Sequence, residues 1–145
     1  MEEIDQEIVN INQVNAHIIN LYCKWVKDKG INYHTFLVYY ALLERKMTQK
    51  ELSLRTHLIK QTINNIVKQM LERKEIYFED IPNNKKEKYV VLTKKGEKAA
   101  HQVTDDLIEV EHRVVTKVGK EKLQELYTLS QIFDRAMEEE MESSK

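Results

Sequence analysis

The stretch TQKELSLRTHLIKQTINNIVKQMLER, Thr48 to Arg73, decides the fold. Its first four residues, Thr48-Gln-Lys-Glu51, match a capping box: the threonine hydroxyl takes the N3 amide proton and the glutamate reaches back to the cap amide. The pattern predicts a short helix to about Arg55, a break at Thr56-His57-Leu58, and a second helix from about Lys60 to Arg73. At about 100° per residue, Ile63, Ile66, Val67 and Met70 share one face of that second helix. Gln61, Asn64, Asn65, Lys68 and Glu72 lie opposite. A helix with one apolar face, entered through a break from a short helix, reads as the second half of a helix-turn-helix.

Downstream the period changes. Glu75-Ile-Tyr-Phe-Glu-Asp80 and Lys88-Tyr-Val-Val-Leu92 are rich in β-branched and aromatic residues, so two strands are expected. Ile81 to Glu87, with the only proline and an Asn pair, reads as the hairpin loop between them. Thr93 is placed to cap a further helix whose stripe is Ala100, Val103, Leu107, Val110 and Val114. Gly119 breaks it, and Leu123, Leu126, Phe133, Met137 and Met141 carry a last helix. Upstream, Asn32 is a plausible N-cap for a nearly all-apolar helix to Leu43, which should be central. Before that, Ile4, Ile8, Ile11, Ile18, Tyr22 and Trp25 follow a heptad spacing with Asn15 in the gap, and Val14 and Leu21 widen the stripe. A long helix with a packing seam is expected, ending at Asp28-Lys-Gly30.

Composition agrees. Three glycines and one proline in 145 residues are too few for the turns of a β-sandwich or barrel, and 41% hydrophobic residues suffice for one core. The expected fold class is mostly α with a small β-wing, a winged helix-turn-helix. One cysteine, Cys23, excludes an internal disulfide framework and a Cys-rich zinc site. No apolar run approaches the ~20 residues of a membrane span, and the acidic N-terminus lacks the regions of a signal peptide. A cytoplasmic protein with no membrane partner is expected. Gly-rich phosphate loops, Gly-x-Ser-x-Gly and His-Glu-x-x-His are all missing, so neither an enzyme nor a bound cofactor is expected.

The net charge of −1 hides a division. Residues 44–98 hold 14 Lys and Arg against 8 Asp and Glu, a surplus of +6, while the rest holds 9 against 16. A basic centre between acidic flanks points the centre at a polyanion. The major groove admits one α-helix, and Asn and Gln pair bidentately with adenine. The candidate DNA-reading residues are therefore Gln61, Thr62, Asn64 and Asn65, with Lys60 and Lys68 reaching phosphates. On the wing Asn84, Lys85, Lys86 and Lys88 are placed to follow the backbone or enter the minor groove. The two long ends carry more apolar stripe than the basic core can cover. Ile4, Ile8, Ile11, Leu123, Leu126, Phe133 and Met137 are thus expected to meet a second copy, with an intramolecular bundle as the alternative. A homodimer would set two recognition helices about one DNA turn, ~34 Å, apart.

Thr48-Gln-Lys-Glu-Leu52, Lys60-Gln-Thr-Ile-Asn64, Val67 to Arg73, the wing, Leu92-Thr93-Lys-Lys-Gly96 and Gly119-Lys-Glu-Lys-Leu-Gln-Glu-Leu126 occur in an order and at separations that carry a resemblance. Over essentially its full length the chain resembles the MarR (multiple antibiotic resistance regulator) family. The resemblance implies a single domain over 1–145, with a winged helix-turn-helix lobe at 32–97 and N- and C-terminal helices, 3–28 and 98–142, forming an intertwined dimerisation region. It also implies a pseudo-palindromic operator in double-stranded DNA, usually repressed, with release by a small ligand or oxidant. The sequence departs from the family twice. Asn84-Lys85-Lys86 replaces a common Asp-x-Arg, so a looser wing with weaker shape readout is expected. Ile59 stands where the family often has a capping serine, which leaves the recognition helix less well capped.

Sensor readings are weaker. Cys23, beside Tyr22 and Trp25, reads as a buried inert thiol rather than a redox switch. His101 with Asp105, and Glu109 with His112, are spaced to chelate on one helix, but scattered histidines make a solvated face the better reading and no metal site is expected. Tyr22, Trp25, Tyr33, Phe36, Tyr39 and Tyr40 divide between core and a cleft; the resemblance implies that this cleft takes a small aromatic or acidic ligand, for which Tyr22, Trp25, Tyr33, Phe36 and Tyr40 are the candidates. Two other readings remain beside the DNA-binding repressor. One is a protein-contacting winged helix; the other is a ligand-binding dimer with little DNA affinity, favoured by the near-neutral charge and the altered wing tip.

Overall fold

The structure, a computed structural model, describes residues 2–145. They divide into two compact units, one running to Thr104 and the other from Asp105 to Lys145. Six helices and three strands follow in the order α1 (Gln6–Asp28), α2 (Tyr33–Glu44), β1 (Met47–Thr48), α3 (Gln49–Thr56), α4 (Lys60–Glu72), β2 (Ile76–Ile81), β3 (Asn84–Leu92), α5 (Lys94–Val118) and α6 (Lys120–Ser143).

The starts and stops have local causes. Asn32 Oδ1 accepts from the Thr35 N–H at 2.8 Å and so caps α2. At α3 the capping box is complete: the Glu51 N–H donates to Thr48 Oγ1 at 3.1 Å, and the Glu51 carboxylate accepts from the Thr48 N–H at 3.4 Å. His57 ends α3 in the left-handed conformation, φ 59°, which a bulky residue adopts only where the chain must turn sharply. Thr93 Oγ1 accepts from the Gly96 N–H at 3.0 Å at the start of α5. Gly119, at φ 98°, separates α5 from α6.

The sheet has the order β1-β3-β2, antiparallel throughout. The first strand was not expected: Met47 and Thr48 pair with Val90 and Tyr89. The expected seven-residue hairpin loop is also corrected. Only Pro82 and Asn83 turn the chain, Asn83 at φ 63°, and Ile81 already faces Asn84. The next pair is Asp80 with Lys88, so Lys85, Lys86 and Glu87 bulge from β3.

The core of the first unit joins α2, α3, α4 and the sheet. Val38, Met47, Leu52, Ile63, Met70 and Val90 are almost fully buried there. Each such side chain contributes about 1.5–3 kcal/mol relative to exposure. As expected, α2 is central, burying Phe36, Val38, Tyr39, Ala41 and Leu42. The second unit differs: α6 runs 24 residues and buries none of them.

Candidate nucleic-acid interface

The apolar face of α4 is set by Ile63, Ile66, Val67 and Met70, all buried in the lobe, and this fixes what the helix turns outward. Gln61, Asn64, Asn65 and Lys68 are exposed, as is Lys60 at the helix start; Thr62 is half-buried. Gln61 Nε2 donates to Asn65 Oδ1 at 3.2 Å, so two of the amides occupy each other one turn apart. Among the described residues Lys60 and Lys68 have no ion-pair partner. The entry to α4 is held from below: Ser53 Oγ donates to the Leu58 carbonyl at 2.6 Å, and the Leu58 N–H donates to Thr56 Oγ1 at 3.3 Å. Ile59, 70% exposed, contributes no side-chain cap, and none is found at this end.

The wing carries the remaining charge. Lys85 and Lys86 are exposed and, among the described residues, without an ion-pair partner. Lys88 differs from them, since its Nζ lies 3.4 Å from Asp80 Oδ1. At the tip, where a looser wing is expected, one side chain makes local bonds. The Asn84 side chain accepts from the backbone N–H groups of Lys86 and Glu87, a tether within one strand instead of a carboxylate–guanidinium pair.

Behind α4 lies a network that the sequence reading missed. Glu75 is only 6% exposed. Tyr39 Oη donates to Glu75 Oε1 at 2.6 Å, and Arg73 Nη2 stands 3.3 Å from the same oxygen. Burial, and then the bond to Glu75, pushes the Tyr39 hydroxyl up to about 12. The trio ties the C-terminal end of α4 and the start of β2 to α2. The only cue was an acidic residue opening a strand, and its partner Tyr39 lies 36 residues away.

A cleft of about 480 Å³ opens at this network, with Lys29, Asn32 and Gln102 also lining it. The ligand candidates Tyr22, Trp25, Tyr33, Phe36 and Tyr40 do not line it. Most of them stack on one another: Tyr22, Tyr33 and Tyr40 surround buried Phe36 with ring centroids 6.3, 6.1 and 5.5 Å away. Trp25 is half-buried, and its Nε1 finds no acceptor among the described residues. Cys23 is half-buried, not buried. Among the described residues no three of His, Cys, Asp and Glu converge as a metal site, and no helix is long and apolar enough to cross a membrane.

The order of helices and the hairpin have close counterparts among solved structures. The chain has the fold of MarR regulators. A MarR family regulator from Neisseria meningitidis superposes with a TM-score of 0.86 at 24% identity, covering 98% of this chain and 100% of that one. MarR of Staphylococcus aureus, solved with salicylate and kanamycin, gives 0.68 at 24% identity over 92% and 93% of the two chains. MepR of S. aureus in its DNA-binding conformation gives 0.72 at 15% identity over 92% and 99%. No family profile matches the sequence of this MarR-fold chain, and no curated protein matches it either.

Proposed function

We propose that this chain is a MarR-type transcription regulator: a homodimer that binds a pseudo-palindromic operator, represses from it, and releases it when a small acidic or aromatic molecule binds. The observation that carries the reading is the outer face of α4, where Gln61, Asn64 and Asn65 stand exposed between Lys60 and Lys68, two cations with no ion-pair partner among the described residues. Amides that make bidentate bonds to adenine supply sequence reading, and lysines supply phosphate contacts. The fold shared with MepR in its DNA-binding conformation supports it.

Dimerisation is supported by α1 and α6. Val14 and Ile18 on α1, and Leu126, Leu129 and Ile132 on α6, are 45–63% exposed in the single chain. Apolar stripes of that length are normally covered. In this reading the lobe is 32–97, and the helices at 3–28 and 98–142 form the dimer. In this reading the effector site is the 480 Å³ cleft lined by Lys29, Asn32, Tyr39, Arg73 and Gln102; the S. aureus relative solved with salicylate supports a small acidic ligand.

The test is selection of bound duplexes from a random DNA library, followed by a salt titration of the selected site. Half-sites about one turn apart are expected, with about 0.9 in the log–log salt slope for each phosphate contacted. No enrichment, with only weak salt-sensitive binding, would overturn sequence-specific regulation.

A further inference from the structure

The hairpin tip contains more chain than its ladder uses. Three residues of β3, Lys85, Lys86 and Glu87, stand between the Ile81–Asn84 pair and the Asp80–Lys88 pair with no partner across the strands. Such a segment ordinarily leaves its backbone N–H groups to water and samples many conformations. Here the side chain of Asn84 fills the gap. Its Oδ1 accepts from the Lys86 N–H at 3.0 Å and from the Glu87 N–H at 3.1 Å, and its Nδ2 donates to the Glu87 carboxylate at 3.2 Å. Asn84 is half-buried, whereas Lys85 and Lys86 are exposed and have no counter-charge among the described residues. The neighbouring Lys88 is the one paired, to Asp80. The uncompensated charge thus sits on the two residues that follow the tether.

We infer that Asn84 is a positioning residue for DNA binding: it closes the bulge, so that Lys85 and Lys86 meet the phosphates as a preset pair. The inference rests on the DNA-binding reading above. A neutral amide suits the task, because it provides the oxygen acceptor that an aspartate would provide without adding a negative charge beside the lysines. Ordering a single residue at the moment of binding instead would cost roughly tenfold in affinity.

Asn84→Ala removes three hydrogen bonds and no charge. Anisotropy with a labelled mixed-sequence duplex, over a series of salt concentrations, is expected to show affinity about tenfold lower. Amide hydrogen exchange at Lys86 and Glu87 in the free protein is expected to accelerate. The exchange variant Asn84→Asp with Glu87→Gln conserves net charge and keeps an acceptor at 84 opposite a donor at 87; it should restore both readouts. Lys85→Ala with Lys86→Ala should lower the salt slope by about 1.8, at ~0.9 for each phosphate. If the lysine pair lowers the slope while Asn84→Ala changes neither affinity nor exchange, the positioning role is overturned and DNA binding stands. If the unaltered protein shows no salt-dependent binding to the duplex, both fall.

Discussion

Gly96 and the carbonyl of Glu75 meet so closely that no side chain fits between them: a Cβ on Gly96 would stand 1.8 Å from that oxygen and 3.1 Å from Leu92 Cδ2. The oxygen cannot easily retreat, because it also accepts from the Thr93 N–H at 2.9 Å. The first turn of α5 is thereby seated directly on the start of β2. Gly96→Ala should therefore cost about 3 kcal/mol, read from urea denaturation. Gly30, at φ +85° with open space around it, is the control; Gly30→Ala should cost only about 1 kcal/mol. Equal costs would mean that the close approach is not what demands glycine.

Tyr39→Phe leaves the buried Glu75 with Arg73 as its remaining partner. Loss of a buried partner costs about 1–3 kcal/mol, so the midpoint in urea should drop at neutral pH. The tyrosine also sets an alkaline limit. Its hydroxyl titrates at about 12 in the folded chain against about 10 when unfolded. A raised value favours the protonated fold, so this stabilisation is intact below about pH 10 and is lost as pH rises through about 12. The phenylalanine variant should show a flatter stability profile across that window.

At the acid end the capping box responds in the opposite sense. Arg45, 2.8 Å from Glu51, holds that carboxyl below its ordinary value, with the Thr48 amide adding to the effect. A lowered value favours the ionised fold, so the contribution is present above about pH 4 and is lost as pH falls through the folded value. Glu51→Gln should remove that part of the pH dependence, checked by thermal melts from neutral to acid pH. An unchanged profile would place the acid sensitivity elsewhere.

On α4 the two kinds of contact separate by experiment. Asn65→Ala or Gln61→Ala should lower discrimination between selected and unrelated duplexes by ~1–3 kcal/mol. Lys68→Ala should weaken binding to both alike and reduce the salt slope by about 0.9. Because Gln61 and Asn65 bond each other in the free chain, their double variant should lose less than the sum of the singles.

The uncovered face of α6 gives a concentration test. A protein that folds as a dimer melts higher as its concentration rises. The parent should show this, and Leu129→Glu with Ile132→Glu, at positions 63% and 59% exposed in the single chain, should abolish it. Sedimentation at one monomer mass for both proteins would contradict the dimer.

How much of this was legible in the sequence follows the range of each interaction. The α3 capping box spans three residues and the inner face of α4 repeats every turn, so both could be read from neighbours alone. β1 could not: two residues carry no period, and Met47 and Thr48 become a strand only because Val90 and Tyr89 lie beside them. The polar run Lys85-Lys86-Glu87 looked like loop and hid a two-residue turn, because its order comes from one side chain, Asn84. The buried Glu75 was invisible, since what makes its burial tolerable is a tyrosine hydroxyl from another helix.

The position of β2 has one more consequence. It is an outer strand of the sheet, with no further strand beside it among the described residues, and it carries Tyr77 and Phe78, which are 48% and 38% exposed. Such an edge is a template for aggregation. Glu79 and Asp80 follow the two aromatics, the register slips after Asp80, and Pro82 lacks an amide proton. A strand added along this edge would meet two ion pairs, Glu79 with Lys46 and Asp80 with Lys88, and then a residue that cannot donate. The same hairpin that carries the lysines thereby guards its own sheet against unlimited growth.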